Sequence, residues 1–276
     1  MNGNGFIWHM DKAGNGVIDG FSGRASYIEI PESFDGYCPV TAIGGYAFEC
    51  CEYLEHVMLP HTIKRIETCA FWGCSHLSKV KFPDSLEYMG AGSFYACPLQ
   101  EIYLPSQLKN SFRELFIGDK HVPLMYQDDG DCFEVFTRQG LKKISVSDGD
   151  LRFTSENGVL FDKNMKTLLC YPPLRDEAYY TIPPGTAVIG EDSFYLCKKL
   201  EKVILPDSLR CIENFAFSES GLKKLWVPDN VEKIGRNAFL GCENLEEIYL
   251  SENLRNMGED TFNGCCGLNI YREECN

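Results

Sequence analysis

Five stretches of the chain share one order of apolar and polar positions: L-E-H-V-M-L-P (54–60), L-S-K-V-K-F-P (77–83), L-Q-E-I-Y-L-P (99–105), L-E-K-V-I-L-P (200–206) and L-K-K-L-W-V-P (222–228). Each reads Leu-x-x-apolar-x-apolar and closes with proline. The two-residue period of a strand puts Leu200, Val203 and Leu205 inward and turns Lys202 and Ile204 outward. Proline then stops the strand, because it has no N–H to give a neighbouring rung. The following P-D-S-L and P-D-N-V segments carry the residues of a tight turn. A second apolar pair comes next (Ile63 and Ile66, Leu209 and Ile212, Val231 and Ile234), and after it a small residue followed by phenylalanine.

That phenylalanine sets the period. Phe48, Phe71 and Phe94 in the first half, and Phe194, Phe217, Phe239 and Phe262 in the second, stand 22 or 23 residues apart. Three positions after the ring comes a cysteine in six of the seven units (Cys51, Cys74, Cys97, Cys197, Cys242, Cys265), and Ser220 breaks the column. A leucine then opens the strand (Leu54, Leu77, Leu99, Leu200, Leu222, Leu245, Leu268). Cys74 of C-A-F-W-G-C (69–74) is therefore a repeat position. No single unit can bury its own apolar face, so the units must stack. Stacking predicts parallel strands about 4.8 Å apart in a long sheet, with the phenylalanines in a continuous internal column.

The segments I-G-G-Y-A-F-E-C-C-E-Y-L-E-H-V-M-L-P and I-G-R-N-A-F-L-G-C-E-N-L-E-E-I-Y-L resemble the BspA-like subgroup of leucine-rich repeat proteins. So do the lead-in I-P-E-S-F-D-G-Y-C-P-V-T-A-I-G and the expanded unit F-T-S-E-N-G-V-L-F-D-K-N-M-K-T-L-L-C-Y-P, which reads as a hairpin turning near Asp162 to Asn164. The resemblance spans roughly residues 20–271. It implies an α/β repeat solenoid: a leucine-rich repeat with a long parallel sheet on one face, and short strands, turns and short helical segments on the other. It also implies binding of macromolecules, adhesive roles on microbial surfaces, a surface or secreted location and no catalytic residues.

Residues 1–26 read as an N-terminal cap or lead-in and 27–112 as a first repeat array. Residues 113–180 form an irregular insertion with the expanded repeat and hairpin, and 181–276 a second array with the C-terminal end. Between about 109 and 140 no A-F unit is present. Rungs resume at L-K-K-I-S-V (141–146) and Y-Y-T-I-P (179–183). The two arrays are expected to share one sheet, with two separately packed arrays as the alternative.

Composition narrows the function classes. With 276 residues, 44% hydrophobic and 13% aromatic, the chain can bury a sizeable core. A formal charge of −14 argues against general nucleic-acid binding, which needs clustered Lys and Arg. No apolar run approaches the roughly 18 residues of a membrane span. The start, M-N-G-N-G-F-I-W-H-M, lacks the basic and apolar stretches of a leader, which suggests a cytoplasmic chain or one whose leader has been removed. The resemblance points instead to the cell surface.

Candidate chemistry is sparse. Of 14 cysteines, the six in the repeat column read as small buried hydrophobes. Cys38, Cys50, Cys69, Cys132, Cys170, Cys211, Cys266 and Cys275 form no C-x-x-C pair and no zinc spacing with histidine. Equivalent side chains of a parallel ladder point the same way, which is poor geometry for a disulfide. Reduced thiols are expected, and these favour a reducing compartment. His9, His56, His61, His76 and His121 sit in no H-E-x-x-H or nucleophile arrangement. D-K-A-G-N-G-V-I-D-G (11–20) overlaps a calcium loop at Asp11, Asn15, Gly16 and Asp19 but fails at Ala13 and Ser22. D-D-G-D (128–131) and D-G-D (148–150) read as solvated turns. No metal, cofactor or catalytic set is expected.

The outward strand positions carry the remaining signal. Just before the last apolar residue of each rung stand Met58, Lys81, Tyr103, Ile204, Trp226 and Tyr249. The other outward column is polar: His56, Lys79, Glu101, Lys202, Lys224 and Glu247. An apolar stripe rich in Trp and Tyr with a charged rim has the make-up of a binding hot spot. Strand propensity and packing between rungs account for the same residues without a ligand. The candidate surface is Met58, Tyr103, Ile204, Trp226 and Tyr249 with Lys202, Lys224 and Glu247. Its expected ligand is a protein, such as a host surface protein in an adhesive role. The alternative is a glycan, with Tyr103, Trp226 and Tyr249 stacked on sugar rings. N-I-Y-R-E-E-C-N is short for a C-terminal cap, which leaves a strand edge open for pairing.

Overall fold

The computed structural model describes residues 2–3, 5–116 and 140–272. His121, Cys132, Cys275, the D-D-G-D turn and residues 117–139 of the middle segment lie outside the described residues. The chain divides into two compact units, Met1–Leu141 with Val146–Asp150, and Lys142–Ser145 with Leu151–Asn276.

Both units are built on the same plan. In the first, strands Phe6–Met10 and Gly16–Phe21 form an antiparallel hairpin. The hairpin passes into a parallel ladder of Cys38–Ile43, Arg65–Ile66 and Tyr88–Met89. In the second, Phe153–Glu156, Val159–Asp162 and Thr167–Cys170 are antiparallel. They lead into Val188–Ile189, Cys211–Ile212, Lys233–Ile234 and Asn256–Met257. One carboxylate shapes each hairpin turn. Asp11 Oδ1 accepts the N–H groups of Ala13 and Asn15 at 2.8 Å, and Asp162 Oδ1 accepts those of Lys166 and Thr167 at 2.7 and 3.0 Å. The calcium-like stretch is thus a hairpin turn whose first acidic side chain is committed to main-chain donors. Those bonds, chiefly from Asn15, hold the Asp11 carboxyl below its ordinary range.

The Leu-x-x-apolar segments form the second ladder of each unit. Tyr27–Glu29, His56–Met58 and Lys79–Lys81 are parallel in the first. Tyr179–Thr181, Lys202–Ile204, Lys224–Trp226, Glu247–Leu250 and Asn269–Arg272 are parallel in the second. Leu200, Val203 and Leu205 are buried and Lys202 and Ile204 exposed, as the alternation predicts.

Between the ladders run the phenylalanines, one column per unit. Ring centroids are 4.8 Å apart for Phe48 and Phe71 and 5.1 Å for Phe71 and Phe94. For Phe194, Phe217, Phe239 and Phe262 the successive spacings are 4.7, 5.3 and 5.4 Å. The hairpins supply the heads of these columns: Phe21 lies 5.9 Å from Phe48, and Tyr171 lies 5.2 Å from Phe194. Neither ring is announced by the A-F pattern, because Phe21 ends a hairpin strand and Tyr171 directly follows one.

A third ladder accounts for the scarcity of helix. In the corners of Phe48, Phe71, Phe194, Phe217 and Phe239 the N–H groups two before, at, and two after the Phe donate to carbonyls of the next unit. Tyr46, Phe48 and Cys50 reach Thr68, Ala70 and Trp72 at 3.2, 2.7 and 2.8 Å; Asn237, Phe239 and Gly241 reach Glu259, Thr261 and Asn263 at 3.1, 2.9 and 2.8 Å. The flanking positions are left-handed, with φ of 60° at Tyr46, 51° at Cys50, 55° at Asn237 and 67° at Gly241. A left-handed turn at each of these points aims the N–H groups across to the next unit instead of back along the chain. Each such non-Gly residue costs roughly 1–2 kcal/mol, and the inter-unit bonds offset that cost. Expected short helical segments are therefore replaced by turns, and among the described residues the α-helix is Phe112–Phe116.

That helix extends the repeat past the point where the A-F pattern stops. Ser111 Oγ accepts the Glu114 N–H at 3.3 Å while Glu114 Oε2 accepts the Ser111 N–H at 2.5 Å, a reciprocal capping box. Phe116 is buried, 22 residues beyond Phe94. Just before it, the Asn110 side chain bonds both the N–H and the carbonyl of Met89 at 2.9 Å, taking the place of a further rung.

Phe217→Ala, which empties the middle of a stack, is expected to cost about 3–5 kcal/mol. Phe262→Ala, at the half-buried end of the column, should cost distinctly less. Urea denaturation of the two variants checks this, and equal losses would show that the column does not carry the stability assigned to it.

Candidate binding surface

The alternation that buries Val203, Leu225 and Ile248 turns their neighbours outward. On the second unit Ile204 is 51% exposed and Trp226 45%, while Tyr249 is half-buried. Lys202, Lys224 and Glu247 form the adjacent column, with Lys202 and Lys224 in register and Lys224 opposite Glu247. Met58 and Tyr103 belong to the first unit. Met58 is half-buried on its rung, and the half-buried Tyr103 donates its hydroxyl to Asp84 Oδ1 at 2.6 Å. Burial, together with that bond, raises the Tyr103 phenol above its ordinary range.

One residue of the surface escapes the sequence reading. Tyr271, on the last rung, pairs in register with Tyr249. Its signal was present: Leu268 holds the strand-opening position, and Tyr271 follows Tyr249 by 22 residues. The N-I-Y-R run reads as a short C-terminal end because Arg272 stands where the other rungs carry their last apolar residue.

The three rings form a ladder across adjacent strands. Trp226 and Tyr249 stack at 4.8 Å with 6° between planes, and Tyr249 and Tyr271 at 4.8 Å with 18°. This distance is the spacing between strands, so the sheet itself sets the stack. Lys224 Nζ lies 4.6 Å from the Trp226 ring centre and 5.2 Å from that of Tyr249. The ammonium is also ion-paired to Glu247, and Glu247 Oε2 accepts the Tyr249 hydroxyl at 2.9 Å. The bond from Lys224, followed by that from Tyr249, holds the Glu247 carboxyl below the ordinary glutamate range, and Glu247 raises Lys224 in turn. The rim is thus locked to the ladder. Tyr249 has one face on Trp226 and the other on Tyr271, which leaves its edge to solvent. Trp226 has one face on Tyr249 and no second ring stacked on it, and Lys202 Nζ stands 6.0 Å from its ring centre.

The cysteine column has a different explanation from simple burial. Cys74, Cys97 and Cys242 donate their thiols to the carbonyls of Phe48, Phe71 and Phe217 at 3.0 Å, and Cys265 reaches Phe239 at 3.1 Å. Each thiol ties a corner to the aromatic residue of the unit before it. Ser220, the exception, keeps a hydroxyl there and lies 3.4 Å from the Cys242 sulfur. Burial pushes Cys51 up to about 11, and burial together with Glu213 pushes Cys211 up to about 12. Thiols so disfavoured as thiolates make poor nucleophiles. Among the described residues, no group of three His, Cys, Asp or Glu side chains is placed to hold a metal ion. No described helix is long and apolar enough to cross a membrane.

Parallel rungs at a 22- or 23-residue period around an aromatic column define a leucine-rich repeat protein. The family described as BspA type Leucine rich repeat region matches in six copies over residues 21–122 and 178–273, and the chain belongs to it. Among solved structures, the chain is similar to a leucine-rich repeat protein from Bacteroides ovatus, with 21% identity, a TM-score of 0.65 and coverage of 99% of this chain and 71% of that one. It is also similar to one from Eubacterium ventriosum, with 19% identity, a TM-score of 0.61 and coverage of 98% and 83%. A third likeness is to the pneumococcal vaccine antigen PcpA, with 20% identity, a TM-score of 0.50 and coverage of 99% and 88%. At these identities the likeness shows the fold. No curated protein matches the chain.

Two measurements check this chemistry. Alkylation of the folded protein followed by peptide mapping should label the exposed Cys50 and Cys266 first, and Cys74, Cys97, Cys197 and Cys242 only on unfolding; early labelling of that buried set would contradict its packing. For Glu247, a folded-state pKa below its unfolded value means that the pairing stabilises above the unfolded value and is lost as pH falls through the folded one. Carboxyl NMR should place its midpoint below the ordinary glutamate range, and Lys224→Met should move it upward. An unmoved midpoint would remove the ion pair as the cause.

Proposed function

We infer that this leucine-rich repeat protein binds a protein partner through the outward face of its second sheet and catalyses no reaction. The observation that carries the reading is the ladder of Trp226, Tyr249 and Tyr271, exposed beside Ile204 and held by the Lys224–Glu247 pair. Strand propensity explains why such residues occupy strands, but not why three large rings are gathered on an outward column with a charged rim. Interfaces are enriched in Trp and Tyr because these rings bury much area at little cost in conformational entropy. Ordering has here been completed in advance, since stacking already restricts the rings and less freedom is lost on binding. An adhesive role at a cell surface is consistent with the family resemblance.

A glycan is the second reading. Tyr249 has no free face on which a sugar could stack, so on this unit the reading rests on the Ile204 side of Trp226. Tyr103, on the first unit, would act separately.

The test compares the parent with Trp226→Ser/Tyr249→Ser and with a control, Glu243→Gln, outside the ladder. Each is immobilised and exposed to extracts of the source organism and of host cells, after circular dichroism has shown equal folding. A partner retained by the parent and the control but lost from the double variant is the expected result, and free sugars should not displace it. Equal retention by all three would reduce the ladder to strand packing.

A further inference from the structure

The sheet of the second unit is uneven at one step. Lys224–Trp226 pairs with Glu247–Tyr249 over three positions, and Tyr179–Thr181 pairs with Lys202–Ile204 over three. The pairing between Lys202–Ile204 and Lys224–Trp226 is confined to Lys202 and Lys224. The cause lies in the corner between these rungs. From Phe to the strand-opening Leu the other units of this array take six residues (194 to 200, 239 to 245, 262 to 268), whereas Phe217 to Leu222 takes five. The shortened corner presses Gly221 against the unit before it, where a Cβ would lie 2.1 Å from the Lys198 carbonyl oxygen. Past the Lys202–Lys224 position the two strands diverge.

An open groove of about 740 Å³ lies at this divergence, lined among others by Lys202, Ile204, Asp207, Trp226, Asp229 and Asn230. It lies on the side of Trp226 away from Tyr249, so the indole face that does not stack on a ring looks into it. Asp207 and Asp229 follow the closing prolines of successive rungs, and both are exposed. Among the described residues neither carboxylate has a cationic or hydrogen-bonding partner. Asn230 is fixed from below, its amide donating to the Asp207 main-chain carbonyl at 2.9 Å. Lys202 Nζ stands 6.0 Å from the Trp226 ring centre, showing that a cation fits near that ring.

We propose that this groove takes an arginine side chain from an extended segment of the protein partner. The guanidinium displaces the Lys202 ammonium from above Trp226 and lies flat on that face, and its N–H groups are shared between the Asp207 and Asp229 carboxylates. Charge complementarity selects this occupant: among the described residues the Asp207 and Asp229 carboxylates have no ion-pair partner, the nearby Arg210 guanidinium being spent on the Asp207 main-chain carbonyl, and a planar cation satisfies the ring and the acids together. A neutral sugar would use the ring and the amide but leave both carboxylates unpaired. The proposal rests on the sheet face being the binding surface and assigns one pocket at its edge.

The test uses defined probes. Indole N–H resonances of the 15N-labelled chain are followed on addition of acetyl-Gly-Arg-Gly-amide, the neutral citrulline analogue and methyl pyranosides, with the Trp226 signal assigned from Trp226→Phe. The arginine peptide should shift that signal saturably, and the citrulline peptide should leave it nearly unmoved. Asp207→Asn/Asp229→Asn should weaken the response by about fivefold or more, and raising salt should weaken it further. Unchanged Trp8 and Trp72 signals establish that the double variant is folded. No shift with the arginine peptide, an equal shift with citrulline, an undiminished response in the double variant, or saturation by a pyranoside alone would each overturn the proposal. If a partner captured by the parent is retained by Asp207→Asn/Asp229→Asn but lost from Trp226→Ser/Tyr249→Ser, the groove assignment fails while the binding surface stands.

Discussion

The contact between one unit's aromatic corner and the next is what the rest of the structure depends on. At Phe217 the ring stacks on Phe194 and Phe239, and its N–H donates to the Ala238 carbonyl at 2.7 Å. The unit's own apolar face cannot be covered locally, so burial and main-chain pairing are both satisfied across the unit boundary. Small residues before the ring, such as Ala216 and Ala238, are fully buried and let the corners approach closely. Gly90 and Gly258 serve the same approach, for a Cβ at either would lie 2.3 or 2.2 Å from the main-chain nitrogen of Thr68 or Arg236. The spacing imposed in the core is repeated on the surface, where Trp226, Tyr249 and Tyr271 stand 4.8 Å apart.

Because stacking must begin and end somewhere, the ends have their own chemistry. Each unit starts with an antiparallel hairpin whose turn is bound by an aspartate and whose last strand delivers the first ring, Phe21 or Tyr171. Asn110 replaces a rung with its side-chain amide after Met89. The far end of the second unit has no such substitute among the described residues: Met257 and Ile270 are 48% and 49% exposed on its last rungs. A surface pocket has its origin in the same mechanics, since removing one residue from the corner after Phe217 pulls the backbone together at Gly221 and parts it near Trp226.

Much of this could be read from residue order. The strand positions, the buried and exposed members of L-E-K-V-I-L-P, the hairpin near Asp162 and the aromatic column all follow from period and alternation. Three features did not. Phe116 carries no preceding small residue, so the unit built on the Ser111–Glu114 capping box was hidden. The short helical segments implied by the family resemblance give way to turns, because the left-handed residues flanking each Phe redirect the N–H groups. Tyr271 lies in a run that reads as a short C-terminal end, because Arg272 takes the place of the last apolar residue of the rung.

By itself, the sequence determined the class of protein and the side of each rung that faces out, because both follow from local alternation and a fixed period. Tertiary structure alone decided what each aromatic face meets. Tyr249 is enclosed between Trp226 and Tyr271 while Trp226 stacks on one ring only, a distinction set by contacts between residues 22 or 23 positions apart and by the loss of strand pairing past Lys202 and Lys224. Alternation assigns a direction to each side chain. The distance between two such side chains on neighbouring strands comes only from how their units pack.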